Sequence, residues 1–140
     1  MQQADIFQPF FGVIFLTFVV GLYMYIRRLS FLHTNKVDPE TLSTPYRGAR
    51  VVPENVSLAA FNFSNLLELP VLFYAVCLYL FVSGSVDPVH LACAWWFFVF
   101  RIIHSLVHCT TNHVVLRFSV YVLGSLGLWA MIIRASLDVF

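Results

Sequence analysis

The stretch LACAWWFFVFRIIHSLVHCTTNHVVLR, residues 91–117, joins ten residues without a charge to a segment with two arginines, three histidines and an asparagine. The uncharged run has the composition of a membrane-spanning helix. Polar side chains that continue such a helix are costly in hydrocarbon unless they face the interior of a bundle or a water-filled cavity. The stretch therefore predicts a membrane helix with one polar side.

The composition of the whole chain agrees with a membrane protein. Of its 140 residues, 60% are hydrophobic and 11% are charged, and the mean hydropathy is +0.83. Soluble domains contain about 45–50% apolar and about 25% charged residues. The net charge of +1 and the dispersed basic residues give no sign of nucleic-acid binding.

Four segments are long and apolar enough to cross a bilayer, since a helix needs roughly 20 residues to span the hydrocarbon. They cover residues 9–26, 56–82, 88–108 and 114–135. The sequence thus predicts an all-α, four-helix integral membrane bundle that forms one domain over residues 1–140. Residues 29–55 make the only long connection, and we expect it to be a surface loop.

The distribution of basic residues predicts the orientation of the bundle. Five lysines and arginines lie between the first and second spans, at positions 27, 28, 36, 47 and 50. Arg117 flanks the third connection, whereas the second connection offers only Asp87. Basic residues are enriched in cytoplasmic loops. We therefore expect the first and third connections on the cytoplasmic side and both termini on the other side.

Polar residues form one stripe on each of three predicted spans, because residues three and four apart share a helix face. We expect the stripes to converge on a polar pocket open toward the cytoplasm, with Glu68 and Arg101 turned toward each other or toward a wet cavity. The stripes are Ser57, Ser64, Asn65 and Glu68 on the second span, Arg101, His104, Ser105, His108 and Asn112 on the third, and Arg117, Tyr121 and Gly124 on the fourth.

Three readings of this pocket are compatible with the pattern. Glu68 and Arg101 could form a structural pair that fixes helix register. His104 and His108 could bind a metal together with His113, but no cysteine or carboxylate lies at their level on that face, so we expect no metal. The third reading is a site for an anionic or zwitterionic small molecule, because ionisable residues inside a membrane are candidates for binding and transport functions.

The order of these motifs resembles the MAPEG family, the membrane-associated proteins in eicosanoid and glutathione metabolism. The resemblance runs from about residue 55 to the end of the chain. It rests on Asn65-x-x-Glu68 before Pro70, on Arg101-x-x-His104-x-x-x-His108, and on Arg117-x-x-x-Tyr121.

The resemblance implies a homotrimer that holds glutathione between neighbouring subunits near the cytoplasmic face. It implies that Arg117 is the catalytic residue, which stabilises the glutathione thiolate for attack on a lipophilic electrophile or a peroxide. An arginine suits this role because its guanidinium is permanently charged. The membrane would be the bacterial inner membrane or the endoplasmic reticulum. The glutathione-binding residues implied by the same matching are Asn65, Glu68, Arg101, His104, His108 and Tyr121.

One position departs from the family pattern. Catalytic members usually carry an arginine beside or one turn before the asparagine of the second helix, where this chain has Phe61, Asn62, Phe63 and Ser64. This absence favours an alternative function, a non-catalytic member that binds a lipid or a partner protein through the same cleft. The identity of the substrate is not readable from the sequence.

Overall fold

The computed structural model describes residues 2–137, apart from the side chain of residue 45, as a bundle of helices. Four helical spans in this part of the chain are long and apolar enough to cross a membrane, and no strand occurs in it. The predicted all-α, four-span membrane fold is confirmed. The helices are α1 (Phe7–Asn35), α2 (Pro45–Val51), α3 (Glu54–Glu68), α4 (Pro70–Ser83), α5 (Pro88–Cys109) and α6 (Val114–Leu137).

Helix α1 is longer than its apolar segment. It continues through Arg27 and Arg28 to Asn35 and ends where Lys36 adopts a left-handed conformation with φ 49°. Arginine is a good helix former, so the two arginines follow the apolar segment without ending the helix. The expectation of a loop over residues 29–55 is wrong to this extent, because that segment also contains α2 and a 3-10 turn, Pro39–Leu42.

The second span consists of α3 and α4, which meet at Leu69. Pro70 lacks the N–H that would continue the hydrogen-bonded ladder, and this interrupts the helix. Leu69 nevertheless keeps helical angles, φ −60° and ψ −35°. The two helices therefore act as one interrupted span.

Helix α5 is packed against α1, α3 and α6. Its Phe97 ring stacks on the ring of Phe73 in α4, with the ring centroids 4.7 Å apart. Helix α6 approaches α5 closely at Gly124, where an added Cβ would stand only 2.8 Å from Cβ of Phe100. A glycine at this position lets the two backbones come together.

A hydrogen-bonded cluster closes the bundle at the α4–α5 connection. The Asp87 side chain caps α5 by accepting from the backbone N–H of His90 at 2.8 Å. The same carboxylate accepts from Nε of Arg134 at 2.9 Å, which ties the end of α6 to the start of α5. The first two spans run in opposite directions, so this connection lies at the same end of the bundle as the beginning of α1. The side of the membrane that this end faces remains a prediction from the basic residues.

Candidate ligand-binding cleft

The polar stripe of α5 faces the interior of the bundle. Arg101, His104 and His108 are 1%, 3% and 2% exposed. Ser105, one residue after His104, is buried as well. Buried ionisable side chains in a membrane helix are retained at a cost, so a cluster of them is a candidate functional site.

A cleft of about 300 Å³ opens between α3, α5 and α6, beside this stripe. It brings together four of the predicted site residues from three helices. They are Asn65 on α3, His104 on α5, and Arg117 and Tyr121, one turn apart on α6. Val114 and Phe118 form an apolar wall, so the cleft offers both the cation of Arg117 and a hydrophobic surface.

Arg101 lies behind the cleft and is enclosed by aromatic rings. Its guanidinium carbon lies 4.6 Å from the ring centroid of Tyr121 and 4.9 Å from that of Phe97. Cation–π attraction of this kind offsets part of the cost of burying the charge. Both terminal nitrogens, Nη1 and Nη2, are buried, and neither has a hydrogen-bond partner among the residues that the structure describes. Arg101 therefore retains unused donors next to a cleft residue.

The expected pairing of Glu68 with Arg101 is absent from residues 2–137, where no ion pair joins them. Glu68 is exposed, and the interior face of α3 is formed by Ala59, Asn62 and Leu66. At 100° per residue, Glu68 stands roughly 120° around the helix from Asn62. The rotation of α3 follows its buried face, and this turns the carboxylate away from the bundle.

The two α5 histidines are neighbours. Their ring centroids are 5.5 Å apart, and the His104 ring also lies 5.7 Å from that of Tyr121. Nδ1 of His104 and both ring nitrogens of His108 are buried and have no hydrogen-bond partner within the described part of the chain. His113, the third histidine of the metal reading, instead accepts from the backbone N–H of Leu116 at 3.4 Å. Within residues 2–137 no three His, Cys, Asp or Glu side chains form a group that could hold a metal ion.

Arg117 is held in place by a residue of the connection between α5 and α6. Its Nη1 donates to Oδ1 of Asn112 at 2.5 Å. Asn112 has a left-handed backbone, φ 48°, and its N–H donates to the carbonyl of Val107 at 2.8 Å. Asparagine tolerates this conformation better than most residues. The short α5–α6 connection thus presents an amide oxygen that orients the cleft arginine.

Asn62 is a polar residue that the sequence analysis did not place in the site. It is completely buried, and its Oδ1 accepts from Oγ of Ser105 at 3.4 Å. Its Nδ2 donates to Sγ of Cys109 at 3.4 Å. These contacts bind α3 to α5 beneath the cleft. The available signal was its helical spacing from Asn65, three residues later, whose own Nδ2 donates to the carbonyl of Phe61 at 3.0 Å.

The fold and the cleft together define a multi-pass integral membrane protein with a basic, aromatic-lined site between its helices. The MAPEG family model matches residues 6–137. The chain belongs to the MAPEG family, and membership implies a glutathione-related transferase, peroxidase or related membrane function. No curated protein matches the chain, and neither does any solved structure.

Proposed function

We propose that the protein is a glutathione-dependent membrane transferase or peroxidase that acts on lipophilic electrophiles. The observation that carries the proposal is the cleft that places Arg117 beside His104, Tyr121 and Asn65 in a member of the MAPEG family. Bound glutathione would supply the thiol that reacts. The chain would supply the positive charge, the hydrogen-bond donors and the apolar wall.

Arg117 has the role of stabilising the thiolate. A fixed guanidinium in a poorly hydrated cleft favours the anionic form of a neighbouring thiol and thereby lowers its pKa. Asn112 already orients one end of this guanidinium, so little reorganisation is needed when the anion binds. Phe118 and Val114, on the same wall, suit a lipophilic second substrate.

The remaining predicted residues have binding roles in this proposal. Arg101 and the two histidines have buried nitrogens without a partner in residues 2–137, and these would donate to the carboxylates of the tripeptide. Tyr121 connects Arg101 to the cleft. Glu68 faces away from the cleft of its own subunit. The proposal therefore includes a homotrimer, in which glutathione lies between subunits and Glu68 reaches the amino group from a neighbouring chain.

The test is turnover of glutathione with an aryl halide by the purified protein. We expect Arg117→Ala to lower kcat by about 10²–10³-fold, as the loss of one preorganised donor does, with a smaller effect on glutathione binding. Arg101→Ala should mainly weaken binding. Arg134→Ala, which removes an arginine from the far end of the same helix, is the matched control and should retain kcat per folded protein.

Equal kcat for the wild type and Arg117→Ala at saturating glutathione would contradict the role given to Arg117.

A specific observation favours the second candidate, a non-catalytic member that binds a lipid or partner protein. Helix α3 brings no arginine to the cleft, and Asn62, three residues before Asn65, faces Ser105 instead. Wild-type protein that binds glutathione weakly or not at all and shows no turnover would support this candidate.

A further inference from the structure

A second cleft, of about 150 Å³, lies between α1, α2 and α3 at the end of the bundle that carries the long connection. Its polar groups include Arg28 of α1 and Ser57 of α3, and the rest of its wall is mainly apolar. We propose that this cleft binds an anionic phospholipid, with the phosphate at Arg28 and the upper part of an acyl chain between α1 and α3. This inference is independent of glutathione binding.

The cleft crosses the level of the membrane surface. On α1, Met24 lies inside the apolar segment, and Arg28 follows one turn later, beyond its end. On α3, Ala60 and Phe61 lie roughly 10 Å from the start of the helix, at 1.5 Å per residue. The apolar wall is thus at the depth of acyl chains and the arginine is at the depth of headgroups. A ligand that fits both levels is amphipathic.

The charge at the headgroup level is positive and available. Arg28 is exposed, and no carboxylate pairs with it in the part of the chain that the structure describes. Its neighbour Arg27, in contrast, donates to the carbonyl of Asn55 at 3.1 Å. Helix α2, which borders the cleft, adds two exposed cations, Arg47 and Arg50. A basic group of this kind at a membrane surface attracts anionic headgroups.

Small residues leave the cleft open, and at Gly48 packing within the chain does not require the missing side chain. A Cβ added to Gly48 would meet only Cδ2 of Leu42, at 3.8 Å, which is an ordinary contact. Ala49 and Ala60 line the same opening. The volume is too small for a helix of a partner protein, whose diameter with side chains is about 10 Å, but it suits part of a lipid molecule.

The experiment measures lipid retention by native mass spectrometry. Purified protein in detergent is given equal amounts of phosphatidylglycerol and phosphatidylcholine with identical acyl chains. We expect the wild type to retain several-fold more phosphatidylglycerol. Arg28→Ala should lower that retention roughly five-fold, as expected for one cation at the membrane surface, and Arg28→Lys should preserve most of it.

Two further variants separate a site from a generally basic surface. Ala49→Phe fills the cleft without changing the charge and should also lower retention. Lys36→Gly also removes one positive charge at the end of α1 and keeps the left-handed conformation of that residue. It should leave retention within about two-fold, because Lys36 does not line the cleft. Circular dichroism and elution volume identify the folded variants. If Ala49→Phe does not fold, the comparison of Arg28→Ala with Arg28→Lys tests the proposal.

Two results would overturn the proposal. One is equal retention of the two lipids by the wild type. The other is an Arg28→Ala effect no larger than that of Lys36→Gly, which would indicate diffuse attraction of anionic lipid without a site.

Discussion

At the scale of single residues, the two arginines near the cleft are held in different ways. Arg101 is buried between two aromatic rings, and no carboxylate of residues 2–137 pairs with it. Arg117 is partly exposed and is fixed by one amide oxygen. Leaving a charge unpaired in such a place costs several kcal/mol. The first arginine is thus suited to a binding role and the second to direct contact with a reacting anion.

The residue-scale prediction concerns Asn112 as a positioning residue. Asn112→Gly preserves the left-handed backbone but removes the oxygen that orients Arg117. We expect kcat with an aryl halide to fall about ten-fold, because a hydrogen bond to a charged group contributes roughly 1.5 kcal/mol, while KM for glutathione changes little. Steady-state kinetics provide both values.

Thr111→Gly is the control for this variant, because it introduces the same flexibility in the same connection without touching Arg117. It should retain wild-type kcat. If Asn112→Gly also turned over at the wild-type rate, with its thermal stability unchanged, the hydrogen bond to Arg117 would have no part in catalysis.

At the scale of helices, the close approach of α5 and α6 rests on Gly124. An alanine there would bring its Cβ to 2.8 Å from Cβ of Phe100, an atom that cannot move without its backbone. Overpacking of this kind costs about 1–3 kcal/mol. We expect Gly124→Ala to lower the midpoint of thermal unfolding in detergent, and Gly48→Ala, whose new Cβ meets only an ordinary contact, to leave it nearly unchanged. Equal midpoints for both variants would show that the helices can separate freely.

The link between α5 and α6 through Asp87 predicts a dependence on pH. The backbone N–H of His90 and the guanidinium of Arg134 hold the pKa of the Asp87 carboxyl below its usual range. A carboxyl with a lowered folded-state pKa stabilises the fold above its ordinary pKa of about 3.9, and this contribution is lost as the pH falls through the folded-state value.

The matched variant is Asp87→Asn, which can still cap α5 but has no charge. We expect it to unfold at a lower temperature than the wild type near pH 7, with the difference shrinking below about pH 4. Thermal unfolding followed by circular dichroism at several pH values measures this. A difference between the two proteins that stayed constant down to acidic pH would exclude the ionised carboxylate as its cause.

Hydropathy predicted the spans well, since the last two are Pro88–Cys109 and Val114–Leu137 against predictions of 88–108 and 114–135. Hydropathy could not predict the end of α1, because arginine is unfavourable in hydrocarbon but favourable in a helix. The rotation of α3 was not predictable either. It depends on Asn62 packing against α5, and a polar stripe in the sequence does not reveal which of two faces turns inward.

At the scale of the whole molecule, residues from three helices meet at one cleft, four of them predicted from the sequence by helix periodicity and family resemblance. Their placement leaves positive charge without a carboxylate partner at the site within residues 2–137. A bound anion would supply that partner. Glu68 lies outside the cleft of its own chain, so the role proposed for it requires a neighbouring subunit.

The proposed contact between Arg117 and a bound thiolate is tested by the ultraviolet absorbance of the glutathione thiolate. Glutathione is titrated with pH in the presence of purified wild-type protein or Arg117→Ala. We expect the thiolate to form at lower pH on the wild type than in free solution, and the variant, with glutathione still bound, to lose this shift. The same thiol pKa on both proteins, at saturating occupancy, would contradict it.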